Sequence, residues 1–191
     1  MSTTYDQITS SKQESAPTTL FIFSGAEDSQ YVAERLIRSV CLIPGATEFG
    51  YGTTTVRKTD GSIHENSYAG GEITDLVRSM EQLIERAPNL GHVSLVVAWH
   101  GTDLRIGNCE IKPKVDRAVK GTIPYSWQVG PTTRANAEEV SYTGGFPAAG
   151  GAPSDRSVYE AITWLKARGL EVTLYPFIFM DVESGNSLPN P

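Results

Sequence analysis

The stretch His92-Val-Ser-Leu-Val-Val-Ala-Trp-His-Gly-Thr-Asp-Leu-Arg105 constrains the fold more than any other part of the chain. Its first half is a short, nearly continuous apolar run rich in Val, the composition of a strand buried on both faces. An amphipathic helical pattern precedes it: Ile73, Leu76, Val77, Met80, Leu83 and Ile84 recur at the helical period, Glu72 suits the positive amino-terminal end, and Ala87-Pro88 stops the run. The apolar run breaks at Trp99, and His100, Gly101, Asp103 and Arg105 follow. Polar and charged groups therefore gather at the carboxyl end of a buried strand, the end where α/β barrels and open α/β sheets bind ligands.

A second unit of the same kind lies near the carboxyl terminus. Ser154 is placed to cap a helix over 155–168 with Val158, Ala161, Ile162 and Leu165 on one face, Lys166 and Arg168 in the last turn and Gly169 just past it. The strand Glu171-Val-Thr-Leu-Tyr175 then meets Pro176, where the loss of a backbone donor predicts that pairing ends or bulges before Phe177-Ile-Phe-Met-Asp181 reaches the rim. Two helix-then-strand units predict an α/β fold with two principal parallel strands, about 92–99 and 170–176, lying side by side.

Between and before these units the pattern is weaker. Residues 1–17 are polar and read as a tail, and 18–71 as an amino-terminal βα and hairpin-like region. Within that region Leu20–Phe23 is a candidate strand. A helix capped by Asp28 or Ser29 is expected to align Val32, Ala33, Leu36, Ile37 and Val40, Tyr51–Val56 to be extended, and Thr59–Ser62 to turn. Residues 106–153 form a long insertion with Pro113, Pro124, Pro131 and Pro147 and little periodicity; Cys109–Lys112 and Ser126–Val129 are its candidate short strands.

Composition narrows the function classes. A net charge of −6 leaves no basic footprint for nucleic acid. No apolar run reaches the roughly 20 residues of a membrane-spanning helix, and Met-Ser-Thr-Thr-Tyr-Asp lacks the basic and apolar regions of a signal peptide, so cytoplasmic synthesis is expected. Cys41 and Cys109 are expected as reduced thiols; His64, His92 and His100 have no metal-ligand spacing, and no cofactor is implied.

Asp103 and Asp181 are the acids that this reading puts at strand carboxyl ends, and so the candidates for catalysis; Trp99, His100, Asp103 and Arg105 are the candidates for substrate binding. Each has a structural alternative. Asp103 and Arg105 suit a rim ion pair, Trp99 core packing, His100 a polar loop position and Asp181 a turn cap.

From about Leu42 onward the chain resembles a family. The pieces are Val-Ser-Leu-Val-Val-Ala-Trp-x-Gly-x-Asp-Leu-Arg at 93–105, the segment Thr122–Trp127, Gly-Gly-Ala-Pro-Ser-Asp-x-Ser-Val at 150–158, Leu-Lys-Ala-Arg-Gly-Leu-x-Val-Thr-Leu-Tyr-Pro-Phe at 165–177 and Gly-Asn-Ser-Leu-Pro-Asn-Pro at 185–191. Together they resemble the TIM-barrel-like, glycoside hydrolase-like domain of the tail baseplate protein of alphaproteobacterial gene transfer agents and related prophages. That resemblance implies a partial (β/α) barrel, with 72–191 as its first part. A complete barrel usually needs roughly 200–250 residues, and the chain has 191.

The resemblance also implies a place in a phage-like tail baseplate, other tail proteins as partners and bacterial cell-wall glycan as a ligand. In the family an aromatic usually stands where this chain has His100 and an acid where it has Thr102. Most glycosidases use two carboxyl groups about 5–10 Å apart; in related barrels these come from later strands, so an isolated fragment is expected to be inactive. Three readings follow: a glycoside hydrolase-like baseplate fragment that acts on or docks to glycan, a purely structural tail component, or an inactive prophage remnant.

Overall fold

The computed structural model describes residues 33–45, 47–61, 64–68, 72–182 and 187. The polar tail and the candidate strand Leu20–Phe23 lie outside them. The elements are α1 (Ala33–Leu36), β1 (Ser39–Leu42), β2 (Arg57–Lys58), α2 (Asp75–Arg86), β3 (His92–Gly101), β4 (Ile111–Lys112), β5 (Thr122–Ile123), β6 (Gln128–Val129), β7 (Thr132–Thr133), β8 (Tyr142–Thr143), β9 (Phe146–Pro147), α3 (Asp155–Lys166) and β10 (Glu171–Met180).

The main sheet is parallel, in the order β1-β3-β10, with β3 at its centre. The expected neighbours do pair: His92–Gly101 runs beside Glu171–Met180 in an unbroken parallel register. The expected barrel is not there. Three parallel strands form an open sheet, the fourth member β4 joins β3 antiparallel over two residues, and the remaining strands pair as separate two-stranded ladders, β2 with β5, β6 with β7 and β8 with β9. Two-residue antiparallel pieces cannot carry the continuous stagger that closes a barrel.

Val40, Leu42, Val93, Leu95 and Val172 alternate along their strands, so they share one sheet face. On that face Val93 and Leu95 meet Leu76, Met80 and Leu83 of α2 and Ala161 and Leu165 of α3 in the main core. Thr74 caps α2 by accepting the Val77 amide, which replaces the end placed at Glu72; Ser154 caps α3 as expected by accepting the Ser157 amide. Gly169 takes a positive φ of 77° and turns the chain from α3 into β10.

Two further expectations change. The helix expected to run through Val40 ends at Leu36, because Ser39–Leu42 pairs with His92–Leu95 and that ladder needs extended backbone. Tyr51–Val56 forms no strand. Side chains satisfy its backbone instead: Asn66 accepts the Val56 amide, and Glu160 accepts those of Thr53 and Thr54. The Tyr51 hydroxyl, buried against the main core, donates to the Val96 carbonyl at 2.6 Å with the Leu42 carbonyl at 3.0 Å. One side chain thereby ties β1 to β3 where β1 stops.

Pro176 does not interrupt β10. The amides of Glu171 and Asp181 both donate toward β3, to Gly91 and Gly101, so in an unbroken strand the odd-numbered amides face β3 and the even-numbered ones face outward. Pro176 sits at an outward position, where the missing donor costs the ladder nothing. The insertion is not structureless either. Val115, Tyr125, Trp127, Val129 and Ala152 form a second core with Phe49 and Val56, closed by the Trp127 indole donating to the Ala152 carbonyl.

Candidate functional site

Among the described residues, the buried charges lie at or beyond the carboxyl ends of β1, β3 and β10 and in the insertion. At the end of β3, Asp103 is buried and pairs with Arg105. One carboxylate oxygen accepts the Arg105 amide at 2.8 Å, and the other accepts Nη2 at 2.6 Å. Arg105 holds the Asp103 carboxyl below its ordinary range. Of the two readings open for this pair, the geometry is that of the rim ion pair. At the end of β10, Asp181 accepts Lys114 Nζ at 2.8 Å together with the amide and hydroxyl of Ser141. Burial pushes this carboxyl up, but Lys114 and Ser141 outweigh burial and hold it down.

The other two candidates separate to opposite faces of β3, as adjacent strand residues must. Trp99 packs against the second core and also lines an apolar groove of about 650 Å³ between α3 and the sheet, with Val97, Ile162, Pro176 and Ile178. Among the described residues Asp155 is the single charged one of that lining. His100 is 1% exposed, stacks on Phe179 and has no hydrogen-bond partner on either ring nitrogen among the described residues. Burial lowers its proton affinity, Asp181 raises it and Lys114 lowers it further; the net direction is down.

Sequence reasoning missed the largest charged cluster among the described residues. Glu48 follows β1 and is 2% exposed. It pairs with Arg134 and with Lys120 at 2.7 Å and accepts the Asp116 amide at 3.0 Å. Lys120 Nζ also lies 2.8 Å from Glu65 and 2.7 Å from Asp116. Oxygens of Glu48, Glu65 and Asp116 approach within 4.8 Å of one another, and the Lys120 ammonium takes the cation's place among them. Three carboxylates against two cations leave one excess negative charge, which Lys58 at 4.0 Å from Glu65 offsets. Burial raises the Glu48 carboxyl despite Arg134 and Lys120. The signal was available: had Ser39–Leu42 been read as the first strand, Glu48 would have stood at its carboxyl end.

Asp181 held ionised and Glu48 pushed toward protonation have the opposed proton affinities that acid–base chemistry uses. Accessibility decides against that use. The side chains of Glu48, Asp103 and Asp181 are at most 7% exposed, and each is already engaged by a cation. No protein-family model matches the chain, and no curated protein matches it.

Proposed function

We propose that this chain is an assembly component of a phage-like tail baseplate, of the gene-transfer-agent kind its motifs resemble, and that it supplies structure rather than glycosidic bond cleavage. One observation carries the choice between hydrolysis and structure. Among the described residues, Asp103, Asp181 and Glu48, the acids at or beyond the carboxyl ends of the three parallel strands, are each spent on an internal ion pair, whereas a glycosidase keeps one carboxyl group free to donate a proton and another free to attack or to activate water. These pairs join elements: Asp181–Lys114 and Glu48–Arg134 bind the insertion to the sheet and to the loop after β1.

A second reading has its own support. The groove beside Trp99 is open and carries Tyr159 and Phe177, and aromatic faces suit pyranose rings. Its single charged residue offers little to the hydroxyls of a sugar, so this lining fits glycan less well than it fits apolar protein side chains. Cross-linking and mass spectrometry of tail particles from a producing culture test the assembly reading. The account expects this chain to cross-link to tail proteins; recovery only from the particle-free fraction refutes it. Sedimentation with purified peptidoglycan tests the second reading, which requires binding that Trp99→Ala weakens.

A further inference from the structure

His100 sits where the insertion meets the sheet, and no role described so far uses it. Its ring is buried, lies against Phe179 with centroids 6.4 Å apart and planes at 27°, and leaves both nitrogens without a partner among the described residues. The charged groups around it come from each neighbouring element. Asp181 from the end of β10 and Lys114 from the insertion act on it directly. Lys112, opposite it in the β3–β4 ladder, is itself paired with Glu110 and Glu138.

Asp181, whose amide donates at 2.9 Å to the carbonyl of Gly101 next to His100, already accepts Lys114 Nζ, the Ser141 amide and the Ser141 hydroxyl. Those three bonds clamp two points of the insertion to the end of β10. A neutral imidazole is compatible with this arrangement, because it stacks as an aromatic ring. An imidazolium is not: it adds a second buried cation to a region where Lys114 already engages the Asp181 carboxylate, and an unpaired buried charge is strongly disfavoured.

We propose that His100 is a proton-operated latch, whose protonation breaks the Lys114–Asp181–Ser141 clamp and lets the insertion detach from the sheet. The device stands on the clamp's geometry and holds whether or not the chain works in a baseplate. Its direction follows from linkage. Burial lowers proton affinity in the closed form, so protons favour the open form; the clamp is fully stable above the ordinary imidazole value of 6.5 and loosens as pH falls below it. If the closed ring stays neutral, opening between pH 7.5 and 5.0 rises by at most about 30-fold.

Hydrogen–deuterium exchange of the full chain, corrected for intrinsic rates, reads this opening. At pH 5.0 amides in 114–117 and 139–142 should lose up to about 30-fold of their pH 7.5 protection while those of β3 keep theirs, and His100→Phe, which retains the stacked ring, should abolish the difference. An equal loss in wild type and His100→Phe, or no loss in wild type, overturns the proposal. Should His100→Phe fail to fold, an NMR titration of the wild type decides: the His100 ring and the Ser141 amide are expected to share one midpoint below 6.5. Separate midpoints, or one above 6.5, overturn it.

Discussion

Lys120→Met tests whether the cluster under the insertion acts as one unit. The ammonium makes contacts of 2.7, 2.8 and 2.7 Å with Glu48, Glu65 and Asp116, and its side chain is 5% exposed. Methionine fills most of the stem's volume, so packing changes little and the loss is mainly electrostatic. Breaking a buried ion pair by removing one partner costs about 3–5 kcal/mol. Arg134 still holds Glu48 and Lys58 remains near Glu65, which sets the expectation at the low end, about 3 kcal/mol. Against a total stability of about 5–15 kcal/mol that is a large fraction.

Urea unfolding followed by tryptophan fluorescence is the assay. With a slope of about 2 kcal/mol/M, the midpoint should fall by roughly 1.5 M. The penalty also carries a pH signature. The Glu48 carboxyl is raised by burial, and losing Lys120 raises it further. A carboxyl raised in the folded state favours folding by taking up a proton, so the deficit should be full at neutral pH and shrink as pH falls through the raised value. A loss under about 1 kcal/mol, or one that grows toward acid, would refute the reasoning.

Tyr51→Phe removes the hydroxyl that bridges the Leu42 and Val96 carbonyls and should cost about 1–2 kcal/mol, read as a lower urea midpoint at unchanged slope. Gly45→Ala should cost more, about 2–3 kcal/mol by the same assay, because the added Cβ would lie 2.3 Å from the Val96 carbonyl oxygen, which is backbone and cannot swing away. Phe177 and Phe179 are 39% and 38% exposed on β10; replacing both with Ser should reduce 8-anilinonaphthalene-1-sulfonate fluorescence and aggregation while leaving the main core's cooperative transition in place.

What was legible in the chain followed local physics. The Val-rich run at 92–99, the period of α2 and the Ser154 cap depend on neighbours in sequence, and all three stand in the structure. Ser39–Leu42 is not legible as a strand because its extended form is imposed by pairing with His92–Leu95, some fifty residues away, while Val40 also continues the helical stripe of the residues before it. Pro176 was misread for a related reason: whether a proline interrupts a strand depends on which edge its nitrogen faces, a property of the sheet. The expected barrel failed on the same ground, since closure depends on long-range pairing that no local pattern encodes.

The sequence points to Asp103, Asp181, Trp99, His100 and Arg105 because they stand at the carboxyl ends of recognisable strands. It misses Glu48, Lys120 and Arg134 because tertiary contacts alone bring them together, across 86 residues in the case of Glu48 and Arg134.

The account rests on the strand-end acids being structural, and glycan turnover measures that directly. Purified chain is incubated with peptidoglycan across pH 4.5–8, and newly released reducing ends are quantified beside a vessel without protein. The account predicts no release above that background, with Asp181→Asn and Glu48→Gln altering stability alone. Sustained release that either substitution abolishes in a folded variant would contradict it, and would place a working acid–base pair where the structure shows closed ion pairs.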